Sequence, residues 1–176
     1  MLPAMLRILG LIFAIFALGC HFEDEFPTPT PVPADCSAVN ATGNGSAVVG
    51  AQNALGAPDQ KVATISAYGV LQLAVGRDIS NNAGSNDDFE IIGKVNSTGV
   101  VTQGTCPLSA SGAAVFKVEV SQDGTKFETV GFWTQKVKTF DLGCRSMKSA
   151  RYIRIVGLAG ASGEVDAIRS TSCFSL

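Results

Sequence analysis

The chain has 176 residues, a formal net charge of −2 and charged side chains at only 16% of positions. That length suits one domain with a tether, and a near-neutral balance without a basic cluster excludes nucleic acid as a partner. Five cysteines stand against a single histidine, His21, which removes the usual general base, Ser-His and Cys-His pairs and histidine-rich zinc sites.

Residues 1–20, MLPAMLRILGLIFAIFALGC, carry one charge, Arg7, followed by an apolar run from Ile8 to Leu18 that only Gly10 interrupts. A positive start, a short apolar core and small residues before a cut site describe a secretory signal. A membrane span needs roughly 20 apolar residues, about twice what this core offers. The ending Ala17-Leu18-Gly19-Cys20 resembles the lipobox of bacterial lipoproteins, with Ala17 where the usual pattern has leucine. That resemblance implies cleavage after Gly19, a lipid on Cys20 and attachment to a membrane. It makes residues 1–19 a lipoprotein signal peptide and 20–35 a tether. His21 stands where some enterobacterial lipoproteins carry an aspartate linked to inner-membrane retention, so the expected location is the outer membrane or cell surface.

Within the tether, Glu23, Asp24 and Glu25 precede Pro27, Pro29, Pro31 and Pro33, which alternate with Thr and Val. Such alternation favours an extended polyproline II spacer, which at about 3.1 Å per residue reaches about 40 Å. Setting Cys20 aside leaves Cys36, Cys106, Cys144 and Cys173. In an exported domain an even set reads as disulfides, here with three connectivities open. Cys36 with Cys173 would tie the first and last segments, and Cys106 with Cys144 would form a local staple; this is the pairing we expect.

Residues 36–176 alternate short apolar runs with turn residues. Residues 37–50 are turn-rich, with one apolar run at Ala47 to Val49. Gly56 and Pro58 break any helix in the loop that follows, where Leu55 can plug a core. Strands are expected at Val62 to Ser66 and Val70 to Val75, then a polar loop over 76–88, then Phe89 to Ile92, continued at Gly99 to Thr102. Phe116, Val118 and Val120 alternate with Lys117, Glu119 and Ser121, and Asp123-Gly124 supplies the positive φ of a tight hairpin turn. The return strand carries Phe127 to Phe132, and further strands are expected at Thr139 to Leu142, Ala150 to Leu158 and Gly163 to Ser172. About eight antiparallel strands make an all-β sandwich or barrel.

Three fragments in order, ALGAPD at 54–59, FKVEVSQDGTKFETVG at 116–131, and ARYIRI with GEVDAI at 150–155 and 163–168, resemble the galactose-binding-like, discoidin-type jelly rolls of bacterial secreted and surface proteins. The resemblance implies a jelly-roll β-sandwich that binds, most often glycans and sometimes proteins or lipid surfaces, and rarely catalyses. It also implies acidic residues near the sheet ends beside a structural calcium. The matching positions are Asn86, Asp87, Asp88, Glu90 and Asp166, and calcium takes six to eight such oxygens.

The expected function is a lipid-anchored envelope module recognising a glycan or a protein partner. Sugar sites present aromatic faces, and the candidates are Trp133 and Tyr152, with core packing the commoner fate of a lone tryptophan in a sandwich. Phe132 and Trp133 fall on opposite strand faces, so one of them can face solvent. The alternatives are a structural subunit of an envelope assembly and a hydrolase built on Asp88 with Glu90. Metabolic labelling with a fatty-acid probe is expected to mark the expressed protein, and non-reducing peptide mapping is expected to find Cys20 in no disulfide.

Overall fold

A computed structural model of the protein describes residues 36–82, 87–96, 100–102, 109–111, 115–134 and 138–171, with backbone alone at 100–102 and 109–111. The signal, the tether, Cys20, Asn86, Cys106 and Cys173 lie outside the described residues.

The fold is all-β. Its strands are β1 (Ala38–Gly43), β2 (Val48–Val49), β3 (Ala63–Ser66), β4 (Val70–Ser80), β5 (Phe89–Val95), β6 (Val100–Thr102), β7 (Ser109–Ser111), β8 (Phe116–Ser121), β9 (Glu128–Trp133), β10 (Thr139–Phe140), β11 (Ser149–Gly157) and β12 (Ser162–Ser170). Two five-stranded antiparallel sheets form the sandwich, ordered β1-β4-β11-β8-β9 and β10-β5-β12-β3-β2, and β6 and β7 make a separate two-stranded ribbon. Alternation places one face of each strand inward. Leu71, Leu73 and Val75 of β4, Ile153 and Ile155 of β11, and Phe116, Val118 and Val120 of β8 are buried from the first sheet. Phe89 and Ile91 of β5, Ala63 and Ile65 of β3, and Val165 and Ile168 of β12 are buried from the second. Leu55 packs against this core, as its loop position suggested.

The polar segment expected to be a loop at 76–88 is in part strand. β4 runs to Ser80 because its pairing with β11 jumps from Tyr152↔Ala74 to Ala150↔Ile79. That bulge absorbs Gly76, Arg77 and Asp78 and returns Ile79 to the core, where it has no exposure. β1 falls in the stretch read as turns. Its outer edge would expose backbone groups, and two contacts occupy them. Gly56 N donates to Ala38 O at 2.9 Å, and Gln52 Nε2 donates to Ala41 O at 2.6 Å. β6 pairs with β7 and does not extend β5.

The β8–β9 hairpin forms, but its turn is not the tight one expected. Strand pairing ends at Val120↔Glu128, leaving a longer loop. Asp123 closes it by accepting from Thr125 N at 2.8 Å and Lys126 N at 2.9 Å. Gly124 adopts φ +74°, and a Cβ there would meet the Tyr152 ring at 3.2 Å, so glycine is required on both counts.

At one end of the sandwich Asp88 is fully buried and joins separate segments. Its Oδ1 accepts from Asn82 N at 2.9 Å and its Oδ2 from Leu142 N at 2.8 Å. Its backbone N donates to Phe140 O at 2.8 Å, and its carbonyl accepts from Thr171 N at 2.9 Å and Ser170 Oγ at 3.1 Å. Removing the carboxylate strands the buried Leu142 N–H, while the N–H of the exposed Asn82 can turn to water. Asp88→Ala should therefore lower unfolding free energy by about 1–3 kcal/mol in urea titration, and Asp88→Asn, which keeps one acceptor, by less.

Candidate functional site

The outer face of the second sheet is polar where its inner face is apolar. On β12 the side chains of Ser162, Glu164 and Asp166 alternate with buried Gly163, Val165 and Ala167. A cleft of about 400 Å³ opens on this face. Its floor is Ile92, Gly93 and Val62, and its polar groups are Gln60, Lys94, Glu164 and Asp166. That volume falls in the range of small-ligand sites, which combine an apolar surface with a few convergent polar groups.

The ladder positions Lys94 and Glu164, and a break in it positions Asp166 and Gln60. Glu164 pairs with Lys94 across β5 and β12, and a bulge between Val165 and Ala167 displaces Asp166 from the regular pairing. Asp166 then reaches the preceding loop: its Oδ1 accepts from Asp59 N at 3.1 Å and its Oδ2 from Gln60 N at 3.2 Å. This clamp holds Gln60 at φ +69°, a conformation that costs a non-glycine residue strain, and places it at the cleft. Asp59 in turn caps Lys61 N at 2.9 Å and pairs with its Nζ at 2.9 Å. Gly93 allows the close approach of β5 to β12, since a Cβ there would lie 2.1 Å from Glu164 O. Lys94 and Glu164 make no ion pair within 4.0 Å among the described residues. Their ammonium and carboxylate, with the Gln60 amide, offer donors and acceptors to a ligand.

The residues expected to form a site are placed elsewhere. Trp133 is 2% exposed and packs on Phe116 with ring centroids 5.3 Å apart, so its indole face belongs to the core and meets no sugar. The outward residue of that pair is the half-buried Phe132. Tyr152 lies under the Gly124 turn and borders a hollow of about 60 Å³ with Thr42, Gln72 and Ala74, too small for a sugar ring.

The four carboxylates proposed for calcium are not gathered. Asp88 and Glu90 lie near the start of β5, while Asp166 is four residues from the end of β12. Among the described residues no group of three or more potential metal ligands occurs. Protein donors occupy three of the four. Asp88 accepts from Asn82 and Leu142, and burial raises its pKa against those two hydrogen bonds, with Asp141 adding to the rise. Glu90 pairs with Lys138 Nζ at 2.7 Å and with Arg169, and the Lys138 hydrogen bond leads in lowering its pKa. Asp166 clamps the loop, and the Asp87 carbonyl accepts from Thr171 Oγ1 at 2.5 Å. The same engagement of Asp88 and Glu90 leaves no free carboxylate pair there for hydrolysis. Cys36 and Cys144 are each disulfide-bonded, and their expected partners, Cys173 and Cys106, lie outside the described residues.

On the outer face of the first sheet, Glu119 is 5% exposed. It takes Lys117 Nζ at 2.7 Å and Arg154 Nε at 2.7 Å, while the Arg154 guanidinium lies 3.9 Å from the Phe127 ring centroid. Burial pushes the Glu119 pKa up, but hydrogen bonds and charge from Lys117 and Arg154 outweigh it and leave the value lowered.

The sequence reading missed Gln60, Lys94 and Glu164. Glu164 and Asp166 both stand in the GEVDAI fragment, but their relation to Lys94 and Gln60 depends on pairing between distant strands.

No family model matches the chain, and no curated protein matches it. Solved structures are similar to the chain, two of them as follows. One is titled as a pectin binding carbohydrate binding module, with 14% identity, 79% of this chain and 94% of that chain covered, and a TM-score of 0.49. The other is CBM32-3 from a family 31 glycoside hydrolase of Clostridium perfringens, with 10% identity, 77% and 92% covered, and a TM-score of 0.44.

Glu90 and Glu119 have folded-state pKa values below the ordinary 4.5. Their stabilisation is present above that value and is lost as pH falls through the lowered folded-state values. Asp88, with a raised pKa, works in the opposite sense and gains stability on protonation. Four lowered carboxylates, Asp59, Glu90, Glu119 and Asp123, against one raised group predict a Tm that falls on acidification below pH 4.5, with a shallower fall in Glu119→Gln, measured by calorimetry across pH.

Proposed function

We propose that the chain is an exported, lipid-anchored and non-catalytic glycan-binding module of the bacterial envelope, attached through Cys20, and that the cleft on the second sheet holds the sugar. The observation that carries this reading is the cleft itself. It has about 400 Å³ of space, and Gln60, Lys94, Glu164 and Asp166 line it beside Val62, Ile92 and Gly93. A sugar hydroxyl both donates and accepts, so a ring bearing several of them can satisfy carboxylate, amide and ammonium together. The ring's C–H face meets the apolar floor. Asp166 retains acceptor capacity beyond its two backbone bonds, because an ionised carboxylate offers about four lone-pair sites.

The disulfide-bonded Cys36 and Cys144 support export, since disulfides persist in oxidising compartments and are rare in the cytosol. The expected pairing of Cys36 with Cys173 and Cys106 with Cys144 is part of the same proposal. Protein donors occupy Asp88, Glu90 and Asp166, so these carboxylates are not the ligands of a structural calcium.

The test is a glycan array probed with the full chain in detergent, with and without calcium, beside Glu164→Ala and Lys94→Ala. Wild type is expected to bind at least one sugar class irrespective of calcium. Each variant should weaken binding by about tenfold or more with little change in Tm, since both side chains lie on the solvent face. Absence of binding across the array, with the chain recovered in a stable hetero-assembly, would favour the structural-subunit alternative.

A further inference from the structure

The cleft is one end of a longer polar surface. Strand register sets Val49 beside Thr64, Thr64 beside Glu164, and Glu164 beside Lys94, a row crossing β2, β3, β12 and β5. The next outward pair along the same strands is Ser66 with Ser162, both exposed. From Asp166 through Glu164 to Ser162 the surface extends roughly 13 Å at about 3.3 Å per residue, longer than one sugar ring. Beyond Ser66, where β3 turns into β4, stands Tyr68.

Tyr68 is 71% exposed, so folding gains little from its ring. Its backbone takes φ +63°, a region that glycine enters freely and a tyrosine does not. The turn is over-determined: Tyr68 N donates to Gly157 O at 2.8 Å, Gly69 N to Ser66 O at 2.9 Å, and Asn44 Nδ2 to Tyr68 O at 3.3 Å. Gly69 has no room for a side chain, since a Cβ there would lie 2.6 Å from Ala47 O. A rigid turn thus holds an exposed aromatic ring, in a strained conformation, at the end of a hydroxyl-bearing strand face. Neither core packing nor turn chemistry asks for tyrosine there.

We propose, resting on the glycan reading of the cleft, that the ligand is an extended neutral glycan of several sugars lying along β12, and that Tyr68 is its distal stacking platform. Hydroxyls of Thr64, Ser66 and Ser162 line the surface between the two ends. Charge favours a neutral chain, because Lys94 faces Glu164 while Asp166 adds a second carboxylate, and a polyuronate would meet a net negative cleft.

The test is calorimetric titration of the full chain in detergent with cello-, xylo- and galacto-oligosaccharides of increasing length, from the monosaccharide to chains longer than the polar face. Affinity should rise with length for the series that binds. Tyr68→Ala should lose about tenfold on the longer chains and nothing on the monosaccharide, in keeping with loss of one stacking contact. Tyr68→Gly should bind like Tyr68→Ala without a lower Tm, because glycine relieves the strained φ; this separates ligand contact from fold support. If Glu164→Ala abolishes binding while affinity is independent of length, or if Tyr68→Ala binds every length as wild type does, the extended site is wrong and the cleft stands. Failure of wild type to bind any of the three series overturns the extended neutral-glycan site, and the cleft reading falls with it only if the array also shows no binding.

Discussion

A carboxylate with no solvent exposure holds one end of this sandwich together. Asp88 takes backbone N–H groups from the segment after β4 and from the turn after β10, while its own backbone bonds to β10 and to the end of β12. Burying an acid is costly in itself, and the raised pKa records that cost. The group persists because apolar residues cannot satisfy the donors that converge there. An aspartate is the shortest side chain that can take both, one on each oxygen. The order of the second sheet at β10-β5-β12 passes through this joint.

Asp166 solves a similar problem at the sheet face. A bulge releases it from the ladder, and it then binds two adjacent backbone N–H groups of a loop remote in sequence. The clamp fixes Gln60 in a left-handed conformation beside Lys94 and Glu164. The second sheet therefore presents organised polar groups on its solvent side, where the first sheet presents a closed network. On that first sheet Glu119 is already satisfied by Lys117 and Arg154, and Tyr152 lies beneath a turn. On the second sheet Glu90 is likewise paired with Lys138 and Arg169, but Lys94 and Glu164 make no ion pair among the described residues.

The sandwich also protects its edges. Gln52 and Gly56 occupy β1, and Arg145 Nε donates to Thr129 O at 2.7 Å on β9. Ordered pairing with another chain's strands is discouraged at both edges of the first sheet.

Alternation over Phe116 to Ser121 and Ala150 to Gly157 was enough to establish an all-β sandwich and its inward residues, because the side-chain period of a strand is local. The same local rule could not see that Gly76, Arg77 and Asp78 continue β4, since a bulge depends on the partner strand. It singled out Trp133 and Tyr152 because aromatic identity is visible in a sequence and burial is not; packing against Phe116 took Trp133 into the core, while Tyr152 stayed half-buried beside Gly124. It grouped Asp88, Glu90 and Asp166 by charge, and the fold separated them by giving each its own donors. Lys94, Glu164 and Gln60 come from three distant segments, and only β5–β12 register and the Asp166 clamp bring them to one cleft. Patterning within one strand is written in neighbouring residues; which side chains share a surface is decided by long-range pairing, to which no single stretch of chain has access.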